Sequence, residues 1–337
     1  MTLTSSEFRK AAENVKKIFE DRGMKVLEEA RSSVKQEKIE SNEAREALNY
    51  FITYRPDVFR PALLSLACEA VGGDPSVTAP VGKALILLSG AFDIHDDIID
   101  KTVKRGRRPT IPGKFGPDIA LLAGDAFIFK GLAELFESVM KLDLPTGKKL
   151  EIVRTIKKLY FDLGDAEAME LKFRARTDVK SEDYIRVVGK KAGDVEAYMK
   201  VGAIVGGGSE EQVKALGEYG RLLGTMIILR DDLQDLLDFD VELPLRVKNE
   251  SLPLPVLYAL EDRSKRRDIL AVIRKVEVTG TGGKKLFKLV SEAGGIAKLE
   301  NFLNDLREKA ILVLKNIKKN REVFIIILHA TVPQRLN

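Results

Sequence analysis

Along most of the chain, apolar residues return every three or four positions, the spacing that turns them onto one side of an α-helix. No block alternates strictly between polar and apolar positions with hairpin signals between runs. The pattern predicts one or two charged amphipathic helices over 5–36 and another over 41–53. Arg55-Pro56-Asp57 interrupts it, Pro61 suits the first turn of a helix over 62–71, and Gly72-Gly73-Asp74-Pro75 ends that helix. A long apolar helix is predicted from Val77 to about Asp100, followed by a basic, Gly/Pro-rich loop from Lys101 to Pro117. Helices over 119–142 and 146–174 come next, the second carrying Glu167 and Glu170. Ser181, with Tyr184 at N3, reads as a partial capping box opening a helix that runs to about Val205. Gly206-Gly207-Gly208 stops it, and Ser209 with Gln212 caps another helix that continues to Leu237. Pro244, Pro253 and Pro255 punctuate the stretch after Leu237. Helices over 256–275, 284–293 and 295–318 finish the pattern, with Gly280 to Gly283 as a flexible turn. No stretch of linker composition separates two halves, so the expectation is one all-α domain over 1–337, a helical bundle.

Composition narrows the function. Of 337 residues, 45% are hydrophobic and 32% charged, enough for a large core under a solvated surface. The net charge of +5 suits small anionic substrates or weak attraction to a membrane surface. Basic patches interleaved with aromatics are not evident, which argues against a nucleic-acid partner. The lone Cys68 excludes an intrachain disulfide and a cysteine zinc site, and reads as a small core residue. Only His95 and His329 are present, so histidine-rich metal sites are excluded too. The N-terminus is polar, without signal-peptide features, and the apolar run from Val323 to Leu328 is too short to span a membrane. A cytoplasmic enzyme is expected. Abundant Lys, Glu and Ile with little Cys has a thermophilic cast.

The chemistry concentrates in two acidic stretches. Asp96, Asp97 and Asp100 spell D-D-x-x-D, with Asp93 one turn earlier. On a helix these carboxylates share a face. Like charges so close need either solvent or hard cations. Asp231, Asp232 and Asp235 repeat the spacing 135 residues later (231 minus 96), with Asp238 beyond them. Two acidic helices facing each other across a bundle would make a cage for Mg²⁺ and a polyphosphate, since Mg²⁺ takes few carboxylates, several waters and phosphate oxygens.

In its ordered motifs the chain resembles the trans-isoprenyl diphosphate synthases, archaeal-like in cast, from about Arg55 to Lys318. Asp96 to Asp100 and Asp231 to Asp235 resemble the two aspartate-rich motifs of that family. Lys104-Arg105-Gly106-Arg107-Arg108-Pro109-Thr110 is similar to its R-R-G-x-P-T, with one extra residue between Gly and Pro. Leu122-Ala123-Gly124-Asp125-Ala126 matches L-A-G-D-A, and Phe59-Arg60-Pro61 matches the end of G-G-K-R-x-R-P. The resemblance implies an all-α bundle with a central apolar cavity, usually a homodimer, with a heteromer left open. It implies two to three Mg²⁺ ions, an allylic diphosphate and isopentenyl diphosphate as substrates, and a linear all-trans product. Asp96, Asp97, Asp100, Asp231, Asp232 and Asp235 would be metal ligands. Lys191 and Arg105 would contact diphosphate oxygens, with Arg60 and Lys104 in substrate binding. Ala91 and Phe92, five and four residues before the first motif, would set the cavity floor and favour products of about fifteen to twenty carbons. His95 is expected as a bystander or a partner of an Asp rather than a ligand. Asp93 stays open between metal ligand and partner of a basic side chain.

The second-substrate positions depart from the family. Asp57 and Val58 stand where it has the Lys and first Arg of G-G-K-R, and Ser89 where it often has His. Arg55, Arg107 or Arg108 would have to compensate. Ala192 replaces the Thr after the family's Lys, Ile227-Ile228 replaces F-Q, and Ala166 to Glu170 replaces G-Q-x-x-D/E. These departures leave two alternatives: a class I terpene synthase or a prenyltransferase with another acceptor, and a non-catalytic partner subunit of a homologous synthase.

Overall fold

In the computed structural model, which describes residues 5–274 and 280–332, the chain is almost entirely helical. Its contacts divide it into two compact units. One holds the described chain up to Arg154 with Tyr198–Val213 and Ile317–Asn320. The other holds Thr155–Ala197, Lys214–Asn316 and the described chain from Arg321. Three of the boundaries, after Arg154, Ala197 and Val213, fall inside helices rather than in linkers.

The first unit is built on α1 (Ser5–Lys35), α2 (Asn42–Tyr54), α3 (Phe59–Ala70) and α4 (Ala79–Ile99). The N-terminal pattern thus resolves as one long helix. Ser41 caps α2, its hydroxyl accepting from the Ala44 amide at 3.3 Å. α4 is apolar on nearly every side until its last turns, which marks a helix surrounded by protein. By length and composition alone Pro75–Ile99 could cross a membrane, although no uninterrupted apolar run does so. In the fold 67% of its most apolar window is buried, as in a core helix.

The expected loop after α4 carries more structure than its composition suggests. Strands β1 (Lys104–Arg105) and β2 (Arg108–Pro109) pair antiparallel, with Gly106 at φ +61° in the turn between them. The residue in excess of the family pattern lies in this Gly-to-Pro segment. A short helix α5 (Ile111–Phe115) comes next, with the Thr110 hydroxyl accepting from the Gly113 amide at 3.1 Å. α6 (Pro117–Lys141) then packs extensively on α4. Gly131 lets Leu88 approach: a methyl there would sit 2.7 Å from Leu88 Cγ.

α7 (Thr146–Glu170) passes from the first unit into the second and ends four residues earlier than predicted, in a turn before Arg176. The predicted helix from Ser181 divides at Ala192 into α8 (Ser181–Lys191) and α9 (Gly193–Val205). Ala192 meets Gly224 there, where a Cβ would lie 3.0 Å from the Ala192 carbonyl oxygen. The expected Ser181 cap does not form. Lys180 is the N-cap, and Ser181 Oγ donates instead to Glu261 Oε1 at 2.5 Å. The Ser209–Gln212 box does form, with Gln212 Oε1 accepting from the Ser209 amide at 3.0 Å and Ser209 Oγ accepting from the Gln212 amide at 3.3 Å. It opens α10 (Glu210–Leu237).

α11 (Glu242–Asn249) was not foreseen. The helix predicted over 256–275 divides into α12 (Leu254–Glu261) and α13 (Arg266–Ile273), and residue 275 lies outside the described residues. Asp262 causes the division: its carboxylate accepts from the Ser264 amide at 2.8 Å, offering the backbone a turn instead of a helix. α14 (Thr281–Glu292) begins three residues before the predicted 284, so Gly283 is helical rather than part of a turn, and α15 (Gly295–Val313) ends five residues before the predicted 318. The apolar run at the end is α16 (Arg321–Thr331), docked within the second unit where Tyr219 donates to the Phe324 carbonyl at 2.9 Å.

Candidate active site

The first acidic cluster forms the last two turns of α4, with Asp100 as its C-cap. The helix dipole is negative at this end, so the carboxylates strongly favour a nearby cation. Arg105, on β1, supplies one. Its Nε donates to Asp97 Oδ1 at 3.0 Å, and its Nη2 lies 3.6 Å from Asp96 Oδ2. Asp97 is only 5% exposed. Burial pushes its carboxyl up to about 6, against the pull of Arg105.

Asp93 pairs with Arg55, in the loop between α2 and α3. Arg55 is 5% exposed and also donates to Ser89 Oγ at 2.8 Å. Its Nη2 lies 3.4 Å from Asp57 Oδ2, and its guanidinium lies over the Phe51 ring at 5.5 Å. Gly90 leaves the room: a Cβ there would lie 2.7 Å from Phe51. Asp57 also holds Arg60, at 3.0 Å. Burial raises the Asp57 carboxyl, but Arg60 and Arg55 pull it below its usual value. Two of the three departures, Asp57 and Ser89, therefore share one network with the neighbouring Arg55.

Arg55, Asp93, Asp97 and Arg105 line a cavity of 610 Å³ together with Arg107, Arg108 and an aromatic wall of Tyr50, Phe51 and Tyr54. Arg108 stacks on Tyr54 at 4.1 Å, and Tyr50 donates to the Pro109 carbonyl at 2.8 Å, which ties the hairpin to α2. His95 lies with its Nε2 3.5 Å from Asp125 Oδ1, but that nitrogen makes no hydrogen bond among the described residues. A side chain at Gly124 would strike the His95 ring, so the glycine of Leu122 to Ala126 makes room for it.

The second cluster, on α10, is wired differently. Asp232 is 1% exposed and engages both its oxygens. Oδ1 accepts from Tyr184 at 2.7 Å and from Arg246 at 2.9 Å, and Oδ2 accepts from the Leu254 amide at 3.0 Å. Arg246, on α11, also reaches Asp235 Oδ2 at 3.1 Å. Burial lifts Asp235 to about 7 despite Arg246. Asp231 faces outward and pairs with Arg230 at 2.5 Å. Asp238 Oδ1 accepts from the Asp240 and Val241 amides at 3.2 and 3.0 Å, so it shapes the turn after α10.

Lys191, at the end of α8, is gripped by Glu167 at 2.8 Å and by Glu170. Burial lowers the Lys191 pKa, but the two glutamates more than offset it and raise it. Glu170 accepts from Ser251 Oγ at 2.9 Å, and the Ser251 carbonyl accepts from Arg246 at the same distance. One polar chain thus joins Lys191 to Asp232 and Asp235. Lys190 turns elsewhere, to Asp165 at 2.8 Å.

The residues singled out in the sequence therefore fall into groups. Asp96, Asp97 and Arg105 meet directly; Asp232 and Asp235 meet through Arg246. Lys104 stands exposed on β1, Phe92 is half-buried, and Ala91 is fully buried within an apolar cluster. Arg246 was not identified from sequence, and Tyr184 was singled out only as N3 of the Ser181 cap; only the fold brings them to Asp232.

Comparisons with known proteins show the family of the chain. The polyprenyl synthetase family model matches residues 41–289. A short chain isoprenyl diphosphate synthase of Methanothermobacter thermautotrophicus is 32% identical over 71% of this chain and 73% of its own length. A geranylgeranyl diphosphate synthase of Methanosarcina mazei is 32% identical over 58% of this chain and 59% of its own. The crystal structure of geranylgeranyl pyrophosphate synthetase from Pyrococcus horikoshii Ot3 is 25% identical, with a TM-score of 0.82 over 95% of this chain and 99% of that one. The chain belongs to the polyprenyl synthetase family, the all-α prenyltransferases that build isoprenyl diphosphates.

Proposed function

We propose that the protein condenses an allylic diphosphate with isopentenyl diphosphate to a linear all-trans product of about fifteen to twenty carbons, acting as a Mg²⁺-dependent enzyme. The observation that carries this reading is that each acidic helix is secured by one arginine, Arg105 or Arg246, beside carboxylates that still reach solvent. Asp96 and Asp231 are partly exposed hard-oxygen donors of the kind Mg²⁺ takes alongside waters and phosphate oxygens. Asp97, Asp100 and Asp235 would complete the sets. Asp232 would position Arg246 and Asp235 in this reading, because its own oxygens already accept three hydrogen bonds. The metal, when bound, neutralises the diphosphate leaving group.

The chain's own residues supply the rest. Lys191 and Arg105 would bind diphosphate oxygens. Apolar and aromatic walls exclude the water that would quench an allylic cation. The diphosphate released from the allylic substrate takes the final proton. Relatives named as geranylgeranyl synthases support a twenty-carbon product. We take the two units as halves of one catalytic domain, because the chain passes between them inside α7, α9 and α10 rather than through linkers. We also infer a homodimer working in the cytoplasm. Leu122, Phe129 and Phe136 recur at seven-residue spacing on α6 and are all exposed, Phe129 at 73%, with Leu132 and Met140 beside them.

Incubation with labelled isopentenyl diphosphate, Mg²⁺ and C5, C10 or C15 allylic primers tests the reading. Chain-extended diphosphates are expected, and their absence with every primer rejects it. The departures at Asp57, Val58 and Ser89 motivate one second reading, a prenyltransferase with a different acceptor. Prenylated products formed without isopentenyl diphosphate would select it.

A further inference from the structure

The family pattern places small residues and then a lysine and an arginine before Phe59-Arg60-Pro61. This chain has Arg55, Pro56, Asp57 and Val58 in their place. A carboxylate where a phosphate-binding lysine is expected would repel a diphosphate. The fold shows that the carboxylate faces cations instead. Asp57 lies between Arg60, at 3.0 Å, and Arg55, at 3.4 Å. Ser89, at the position of the family's histidine, accepts from the same Arg55 at 2.8 Å. The substitutions thus converge on one guanidinium.

That guanidinium lines the 610 Å³ cavity. Its Nη atoms are taken by Asp93, Asp57 and Ser89, while its buried Nε has no hydrogen-bond partner among the described residues. A buried donor left without an acceptor is costly unless a ligand supplies one. Four arginines and two aspartates line the cavity, so its balance favours an anion. Phe51 lies against the guanidinium, its ring centroid 5.5 Å from Arg55 Cζ.

We infer that Arg55 receives the diphosphate of the second substrate in this chain, in place of the lysine the family uses, and that Asp57 and Ser89 are positioning residues that aim it. The inference rests on the proposed reaction and names the residue that decides its second-substrate affinity. The lysine is not lost; its charge has moved two residues toward the N-terminus, and the neighbouring side chains have changed to hold it there.

Steady-state kinetics of the full chain test this. Arg55→Ala is expected to raise KM for isopentenyl diphosphate about 30-fold, the loss of a charge-assisted contact, while KM for the allylic primer stays within about twofold. Ser89→Ala, which removes one hydroxyl, is expected to raise the same KM about threefold with kcat unchanged. Restoring the family pattern with R55G, D57K, V58R and S89H together is expected to recover affinity that R55G alone loses. An unchanged or lowered KM in Arg55→Ala overturns the inference, the latter meaning that the network shuts the site. If that variant does not fold, Arg55→Lys takes its place: it keeps the charge but loses the fork, so a raised KM upholds the inference and an unchanged KM overturns it. Calorimetry of wild type and Arg55→Lys with isopentenyl diphosphate separates this from failure of the reaction. Arg55-dependent binding without elongation upholds Arg55 and rejects the reaction; elongation indifferent to Arg55 does the reverse.

Discussion

The two aspartate-rich clusters share a spelling and differ in construction. The first lies at the negative C-terminal end of α4 and is held by Arg105 from a hairpin, an arginine whose side chain is 63% exposed. The second lies within α10, and its middle carboxylate is sealed beneath Tyr184, Arg246 and the Leu254 amide. A surface arginine can leave its partners at little cost. A buried one cannot, because either charge left alone in the interior lacks solvation. The first cluster is therefore the more adaptable of the two, and the second is a fixed anchor.

This contrast can be broken by mutation. Asp232→Ala removes the buried partner of Arg246, Tyr184 and the Leu254 amide together and is expected to cost about 3–5 kcal/mol in denaturant unfolding. A loss below about 1 kcal/mol would remove the anchor interpretation. Asp96→Asn, at the adaptable cluster, is expected to leave stability near wild type and lower kcat roughly 100- to 1,000-fold. A variant that unfolds instead would make the two clusters alike.

Glu69 sharpens the comparison from outside both clusters. Arg22 donates to it at 2.6 Å and Asn320 at 3.2 Å, with Lys319 also 3.2 Å away. Burial pushes its carboxyl up, but these hydrogen bonds win and hold it at about 2. Its stabilisation is present above the ordinary carboxylate range and is lost as pH falls toward 2. Glu69→Gln is expected to cost about 1.5–3 kcal/mol at pH 7 and less at pH 3, read by thermal unfolding.

The clusters carry the opposite sign. Asp97 and Asp235 are raised to about 6 and about 7. Without metal, their contribution to stability is present below the ordinary value near 3.8 and is lost as pH rises through 6 and 7. Under the proposed function, Mg²⁺ would require the ionised form, and its affinity is expected to fall about tenfold per pH unit below 7 at the second cluster and below 6 at the first. Calorimetric titration between pH 5 and 8 checks both midpoints. The smallest effect is expected from Arg105→Ala, at most about 1 kcal/mol of stability. A larger loss would show that the hairpin is as firmly anchored as α11.

Much of this was legible from residue order. Helix periodicity marks α2, α4, α6 and α15 because a 3.6-residue repeat is a local property. The Ser209–Gln212 box was equally local and formed as read. Ser181 failed because Glu261, 80 residues away, offered its hydroxyl a better partner. The single predicted helix through Ala192 failed for the same reason, the close approach of Gly224 from α10.

The chain's own order therefore determined its family, its helical nature and the identity of its acidic residues, since spacing along a helix sets which carboxylates share a face. Tertiary structure decided what each carboxylate does. Asp232 became an anchor and Asp96 stayed partly exposed because Arg246 and Arg105 reach them from different distances and depths. It also turned Asp57 from an apparent defect into a brace for Arg55. Burial and long-range pairing set the cost of a charge, and neither can be read from its neighbours in sequence.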